Sequence, residues 1–140
     1  MEKYTFHEGY VIGEKARLSR TISKENIHQM ADITGDFNPV HLDEEFASRT
    51  QFEGCIAHGV FNFGLISAVL GTKLPGPGAI YLNQTLQFLN PVRAGDTLTA
   101  EVEVTSWRTD KRIITLKTCC FNQHHENVAE GEAVLFVEKL

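Results

Sequence analysis

The chain of 140 residues reads as an α+β domain, an antiparallel sheet wrapped around one long central helix. Three observations predict this. The segment from about His58 to Leu70 is apolar on nearly every side, as expected of a helix enclosed by protein. Beyond Pro75-Gly-Pro-Gly78 the apolar residues recur every second position, the period of half-buried strands. No repeat, low-complexity tract or linker divides the chain, so residues 1–140 are expected to form a single domain.

Lys15 to Ile22 has the look of a short strand. Ser23 can then cap a helix reaching about Ile33, with Glu25 near the positive end of its dipole. Ile27, Met30, Ala31 and Thr34 follow helical spacing, and Gly35 stops the helix. A loop from Gly35 to Pro39 leads to a second short helix around Asp43 to Arg49, and Gly54 breaks the chain before the apolar helix. After it come strands at Ile80–Asn90, at Leu98–Thr105 and at Ile114–Cys120, with a final one through Ala133–Val137. Leu98, Ala100, Val102 and Val104 alternate with Thr99, Glu101, Glu103 and Thr105, so one face is buried.

A net charge of −5 gives no footprint for nucleic acid, whose phosphates favour a basic face. No segment has the length or apolarity for a membrane span, and the N-terminus has neither a signal core nor an Arg-rich amphipathic pattern. Cys55, Cys119 and Cys120 form no CxxC pair, and an odd number argues against a disulfide framework. Reduced core cysteines and a cytoplasmic location are the expectation. Neither a GxSxG elbow nor a phosphate loop is present. His7, His28, His124 and His125 read as surface or turn residues, and the pair 124–125 lacks neighbours with metal-ligand spacing.

The stretch Thr34-Gly-Asp-Phe-Asn-Pro-Val-His41 carries the chemistry. A carboxylate at Asp36 and an imidazole at His41 flank Asn38 and Pro39, which favour a turn and stiffen it. Such a turn can hold both groups over one water, and acid–base catalysis needs that fixity. Taken alone, an Asp and a His in a turn more often form an Asx turn beside a surface histidine, and the full string is what shifts the balance. The second constellation is Ala57-His58-Gly59, at the start of the apolar helix. A glycine there lets a ligand approach unpaired N–H groups at the positive end of the dipole, an oxyanion hole in outline. The alternative at that place is a glycine for close packing and a hydrogen-bonded core histidine.

The string from Thr34 to His41, with Ala47 six residues on, resembles the hydratase motif of the MaoC-like (R)-specific enoyl-CoA hydratases. Ala57-His58-Gly59 and Asn90-Pro-Val-Arg-Ala-Gly-Asp96 are similar to that family too, so the likeness spans about Ser23 to Val137. The resemblance implies the hot dog fold and reversible addition of water to trans-2-enoyl thioesters, giving (R)-3-hydroxyacyl thioesters. It implies that Asp36 and His41 are the catalytic pair, that Asn38 supports their geometry, and that the Gly59 amide, with His58 beside it, binds the thioester. It implies no metal or organic cofactor, a pantetheine-bearing acyl thioester as the partner molecule, and a homodimer or larger homo-oligomer. One departure from the family pattern is Met30, where many relatives carry an aromatic residue; it is expected to pack under the loop and shape the acyl pocket. A thioesterase of the same fold would need a carboxylate on the central helix, and Val60 to Leu70 has none. A non-catalytic acyl-CoA-binding module would have no need for the Asp36/Asn38/His41 set. Chain length, carrier (CoA or acyl carrier protein) and the split of proton transfers between Asp36 and His41 are not written in the sequence.

Overall fold

The computed structural model describes residues 3–140; Met1 and Glu2, the start of the segment read as lacking a signal core, lie outside it. Five strands form one sheet: β1 (Lys15–Thr21), β2 (Ala79–Phe88), β3 (Thr97–Arg108), β4 (Ile113–Phe121) and β5 (Asn127–Val137). Their spatial order is β1-β3-β4-β5-β2, and every neighbouring pair is antiparallel. Four helices precede β2: α1 (Lys24–Thr34), α2 (Pro39–Leu42), α3 (Glu44–Ser48) and α4 (Val60–Thr72).

The predicted alternation sets the inner face. Leu98, Ala100, Val102 and Val104 of β3 and Ile114, Leu116, Thr118 and Cys120 of β4 are all fully buried. They pack against Leu65, Ile66, Val69 and Leu70 of α4, which lies across the sheet. The Thr118 hydroxyl takes a hydrogen bond from Gln84 Nε2 at 2.9 Å, so its burial leaves no polar group unpaired. On the outer face Lys15 and Arg17 meet Glu103 and Glu101 directly across β1 and β3, fixing register with exposed ion pairs. Gly131 of β5 has no room for a side chain: a Cβ there would lie 1.9 Å from the Thr85 carbonyl oxygen of β2.

Three expectations change. The central helix is not enclosed on every side within one chain: Val60, Gly64, Ser67 and Gly71 are exposed, because one twisted sheet covers only one flank. And the segment between Gly35 and Pro39 is shorter as a loop than expected, since Pro39 opens the one-turn helix α2. A fixed φ at the first helical position and the Asn38 side chain, which accepts from the Val40 N–H at 3.1 Å, are sufficient cause. His41 therefore stands on a helical turn. Of the cysteines only Cys120 is a core residue; Cys55 and Cys119 are partly exposed.

Candidate active site

The site is built where α1, α2 and α4 meet the end of β2. Ser23 caps α1 with a reciprocal capping box through Asn26, and Gly35 ends it in the left-handed region at φ 79°. The chain then turns through hydrogen bonds its own side chains make. Thr34 Oγ1 donates to the Met30 carbonyl at 2.6 Å and accepts from the Asp36 N–H at 3.1 Å. Asp36 Oδ1 accepts from the Asn38 N–H at 3.2 Å, and Asn38 caps α2. The Asx turn open as an alternative on sequence is therefore present, and it leaves the second carboxylate oxygen free. That oxygen, Oδ2, lies 3.9 Å from His41 Nε2.

His41 is oriented from behind. Its Nδ1 lies 2.7 Å from the Ile56 carbonyl oxygen, which can only accept, so Nδ1 carries the proton. In the neutral ring Nε2 is then the bare nitrogen, facing Asp36. One water at ordinary hydrogen-bond length from both acceptors would subtend roughly 90°, close to its own geometry. The two groups are too far apart to bond each other and well placed to share a water.

His58 supports this arrangement from the buried side. It is 2% exposed, its ring stacks on His41 at 3.9 Å between centroids, and its Nε2 donates to the Asp36 carbonyl at 3.0 Å. It touches both members of the pair and does not line the substrate cavity, where the resemblance had put it. His58 precedes α4, and its ring packs inward between His41 and Phe61.

A cavity of about 340 Å³ opens beside His41, Gly59 and Asn62, with Phe52, Phe88 and Val92 among its apolar walls. The Gly59 N–H makes no hydrogen bond among the described residues and stands ahead of the thirteen-residue α4. A Cβ at Gly59 would sit 3.0 and 3.1 Å from two Phe88 ring carbons, so the missing side chain keeps that wall open. Met30 lines a separate groove with Ile33, Phe61 and Leu65 and does not touch this cavity. Its link to the site is its carbonyl, which holds Thr34. Asp36, His41 and His58 each bring a ligand atom within 4.8 Å of the others. Two stacked rings direct their lone pairs side by side, however, and convergence on one ion needs them splayed.

The predicted residues Asp36, Asn38, His41, His58 and Gly59 thus fall in one place. Sequence reasoning missed the Ile56 carbonyl, the Phe88 wall and Asn62. The carbonyl has no sequence signal; Asn62 had one, as the only amide in an otherwise apolar helix.

Comparison with known proteins gives a consistent picture. The family model described as "MaoC like domain" matches residues 10–123. An "(R)-specific enoyl-CoA hydratase" of Rhodospirillum rubrum is 49% identical over 125 residues, covering 89% of this chain and 86% of the relative. A "3-hydroxybutyryl-CoA dehydratase" of Methylorubrum extorquens is 46% identical, covering 96% of this chain and 85% of the relative. The solved structure of the "(R)-hydratase from A. caviae involved in PHA biosynthesis" superposes with a TM-score of 0.89 at 45% identity, over 94% of this chain and all of that one.

Proposed function

The chain belongs to the MaoC-like domain family, with the hot dog fold, and from that premise we propose how it carries out its reaction. It is a hydro-lyase that reversibly hydrates trans-2-enoyl thioesters to (R)-3-hydroxyacyl thioesters. The observation that carries the residue assignment is the 3.9 Å pair: a free Asp36 Oδ2 and a His41 Nε2 whose lone pair is fixed by the Ile56 carbonyl. Asp36 and His41 hold the water between them, and its oxygen bonds to C3 as its proton passes to one of the two. With the imidazole neutral both groups are acceptors, so the proton delivered to C2 is the one the water gave up. Delivery from the same side follows, because both bonds form at one wall of the cavity.

The Gly59 N–H, unpaired at the positive end of α4, receives the charge that develops on the thioester oxygen. Asn38 holds the turn and His58 holds both catalytic groups from below. No metal or organic cofactor enters, since the thioester itself acidifies the carbon beside it.

The test uses purified protein, crotonyl-CoA and chiral analysis of the product. Loss of the conjugated enoyl absorbance with (R)-3-hydroxybutyryl-CoA as product is the expected outcome. Release of free thiol in place of water addition would overturn the reading in favour of a thioesterase. Rates that fall after dialysis against a chelator would contradict the metal-free mechanism.

The assembly we propose is a homodimer. The exposed flank of α4 and the free edge of β2, with Ile80, Tyr81 and Leu82 exposed on it, support this reading. An unpaired strand edge invites pairing, and a second copy covers both features at once. Light scattering of the purified chain distinguishes dimer from monomer.

A further inference from the structure

Asn62 buries an unexplained polar atom beside the catalytic cavity. It lies in the first turn of α4 and is 3% exposed. It lines the same space as His41 and Gly59. Its Nδ2 donates to the Gly59 carbonyl at 3.2 Å, which also receives the Asn62 N–H at 3.1 Å. That orientation fixes the amide: exchanging the two atoms would set oxygen against oxygen. Oδ1 is then buried with no partner in the protein. A buried carbonyl oxygen without a donor is destabilising, and a leucine of similar volume would avoid that. The apolar walls around it, Phe52, Ile56, Ala57, Phe88 and Val92, offer no side-chain donor. Asn90, also on the cavity wall, gives its Nδ2 to the Asn127 carbonyl at 2.6 Å.

A ligand must therefore bring the donor, and the reaction specifies which. An enoyl thioester has no O–H or N–H in its acyl part; its carbonyl and sulfur only accept. The donors that appear at the reacting carbons are the water that adds and the hydroxyl it becomes on C3. The remaining source, the first pantetheine amide N–H, is shared by every thioester the site binds.

We propose that Asn62 Oδ1 accepts the O–H of the 3-hydroxyl formed on C3. The adding water spends its two O–H groups on Asp36 and His41; the product hydroxyl keeps one, and Asn62 is placed to receive it. This contact makes the site discriminate a hydroxyacyl thioester from its saturated counterpart.

The proposal rests on the hydratase reading, and the experiment separates the two. Crotonyl-CoA hydration is measured with two inhibitors, (R)-3-hydroxybutyryl-CoA as product and butyryl-CoA as the analogue without a hydroxyl. In Asn62→Leu the inhibition constant of the hydroxyacyl thioester should rise about tenfold, the factor for one lost hydrogen bond. That of butyryl-CoA should stay within about twofold. Asn62→Thr, which keeps a shorter acceptor, should fall between. Equal changes for both inhibitors would assign Asn62 to the pantetheine amide or to anchoring Gly59, and would overturn the proposal, as would no change in either. If Asn62→Leu does not fold, Asn62→Thr decides alone, with a rise of about threefold or more confined to the hydroxyacyl thioester as the supporting result. A parental protein that fails to hydrate crotonyl-CoA would sink the hydratase reading itself, a result distinct from any of these.

Discussion

Replacing Asp36 by asparagine isolates its proton chemistry from its structural work. Oδ1 accepts the Asn38 N–H at 3.2 Å, and an asparagine carbonyl oxygen can do the same, so the Asx turn and the α2 cap behind it survive. Half of the Asp36 side chain is exposed, and its 3.9 Å approach to His41 is a surface contact worth less than about 1 kcal/mol to folding. The fold should therefore keep its stability to within about 1 kcal/mol. At Oδ2 the change is a reversal: an acceptor becomes an N–H₂ donor, so the water meets one acceptor where it met two. Removing a positioned proton-transfer group lowers a rate by about 10²–10⁴-fold. That factor is roughly 3–5 kcal/mol of barrier, several times any structural effect expected here. The assay is crotonyl-CoA hydration by loss of enoyl absorbance, alongside urea unfolding of the same preparations. Asp36→Ala should lose as much activity and, with its turn hydrogen bond gone, about 1 kcal/mol of stability as well. A kcat for Asp36→Asn above a tenth of the parental value would refute the assignment, as would a loss of activity that tracks a loss of fold.

His58→Phe keeps a ring stacked on His41 but deletes the bond to the Asp36 carbonyl; kcat should fall about tenfold or more with the KM for crotonyl-CoA little changed. Gly59→Ala retains the amide N–H and an ordinary helical φ of −58°, but presses on Phe88. It should leave the urea midpoint near the parental one while kcat/KM for crotonyl-CoA drops measurably. Gly131→Ala cannot be accommodated without parting β2 from β5, because the clash is with backbone. A loss above about 3 kcal/mol in urea unfolding is expected, and a change under about 1 kcal/mol would refute the geometry. Burial, with Cys119 adding to it, pushes the Cys120 thiol up to about 12, so iodoacetamide at pH 8 should label it only on unfolding; burial raises Cys55 and Cys119 as well, but both are partly exposed and should label slowly in the native state.

Most of the architecture was legible in the sequence because its signals are local. Alternation at Leu98–Val104 and Ile114–Cys120 depends on pleat geometry alone, and the bounds of α1 follow from Ser23 and Gly35, whose effects act within one turn. The string from Asp36 to His41 was legible for the same reason, since Asp36 accepts from the Asn38 N–H, Asn38 from the Val40 N–H, and the Asn38 carbonyl from the His41 N–H, bonds two or three residues long. What lay beyond the sequence depends on residues far apart in the chain. The tautomer of His41 is set by the carbonyl of Ile56, fifteen residues away, and a backbone oxygen leaves no mark in a sequence. His58 was expected in the substrate's path; packing of α4 put it under His41 instead, where it donates to the Asp36 carbonyl. Asn62 was passed over as one amide in an apolar helix, and its unpaired oxygen is a fact about everything around it. The open flank of α4 is likewise a matter of area, because one sheet can cover only one side of a helix. Patterns a few residues long were enough for the elements and for the Asp36/His41 pair. Which nitrogen is bare, what holds the pair in place and which buried atom awaits a donor came only with the packing of distant segments against one another.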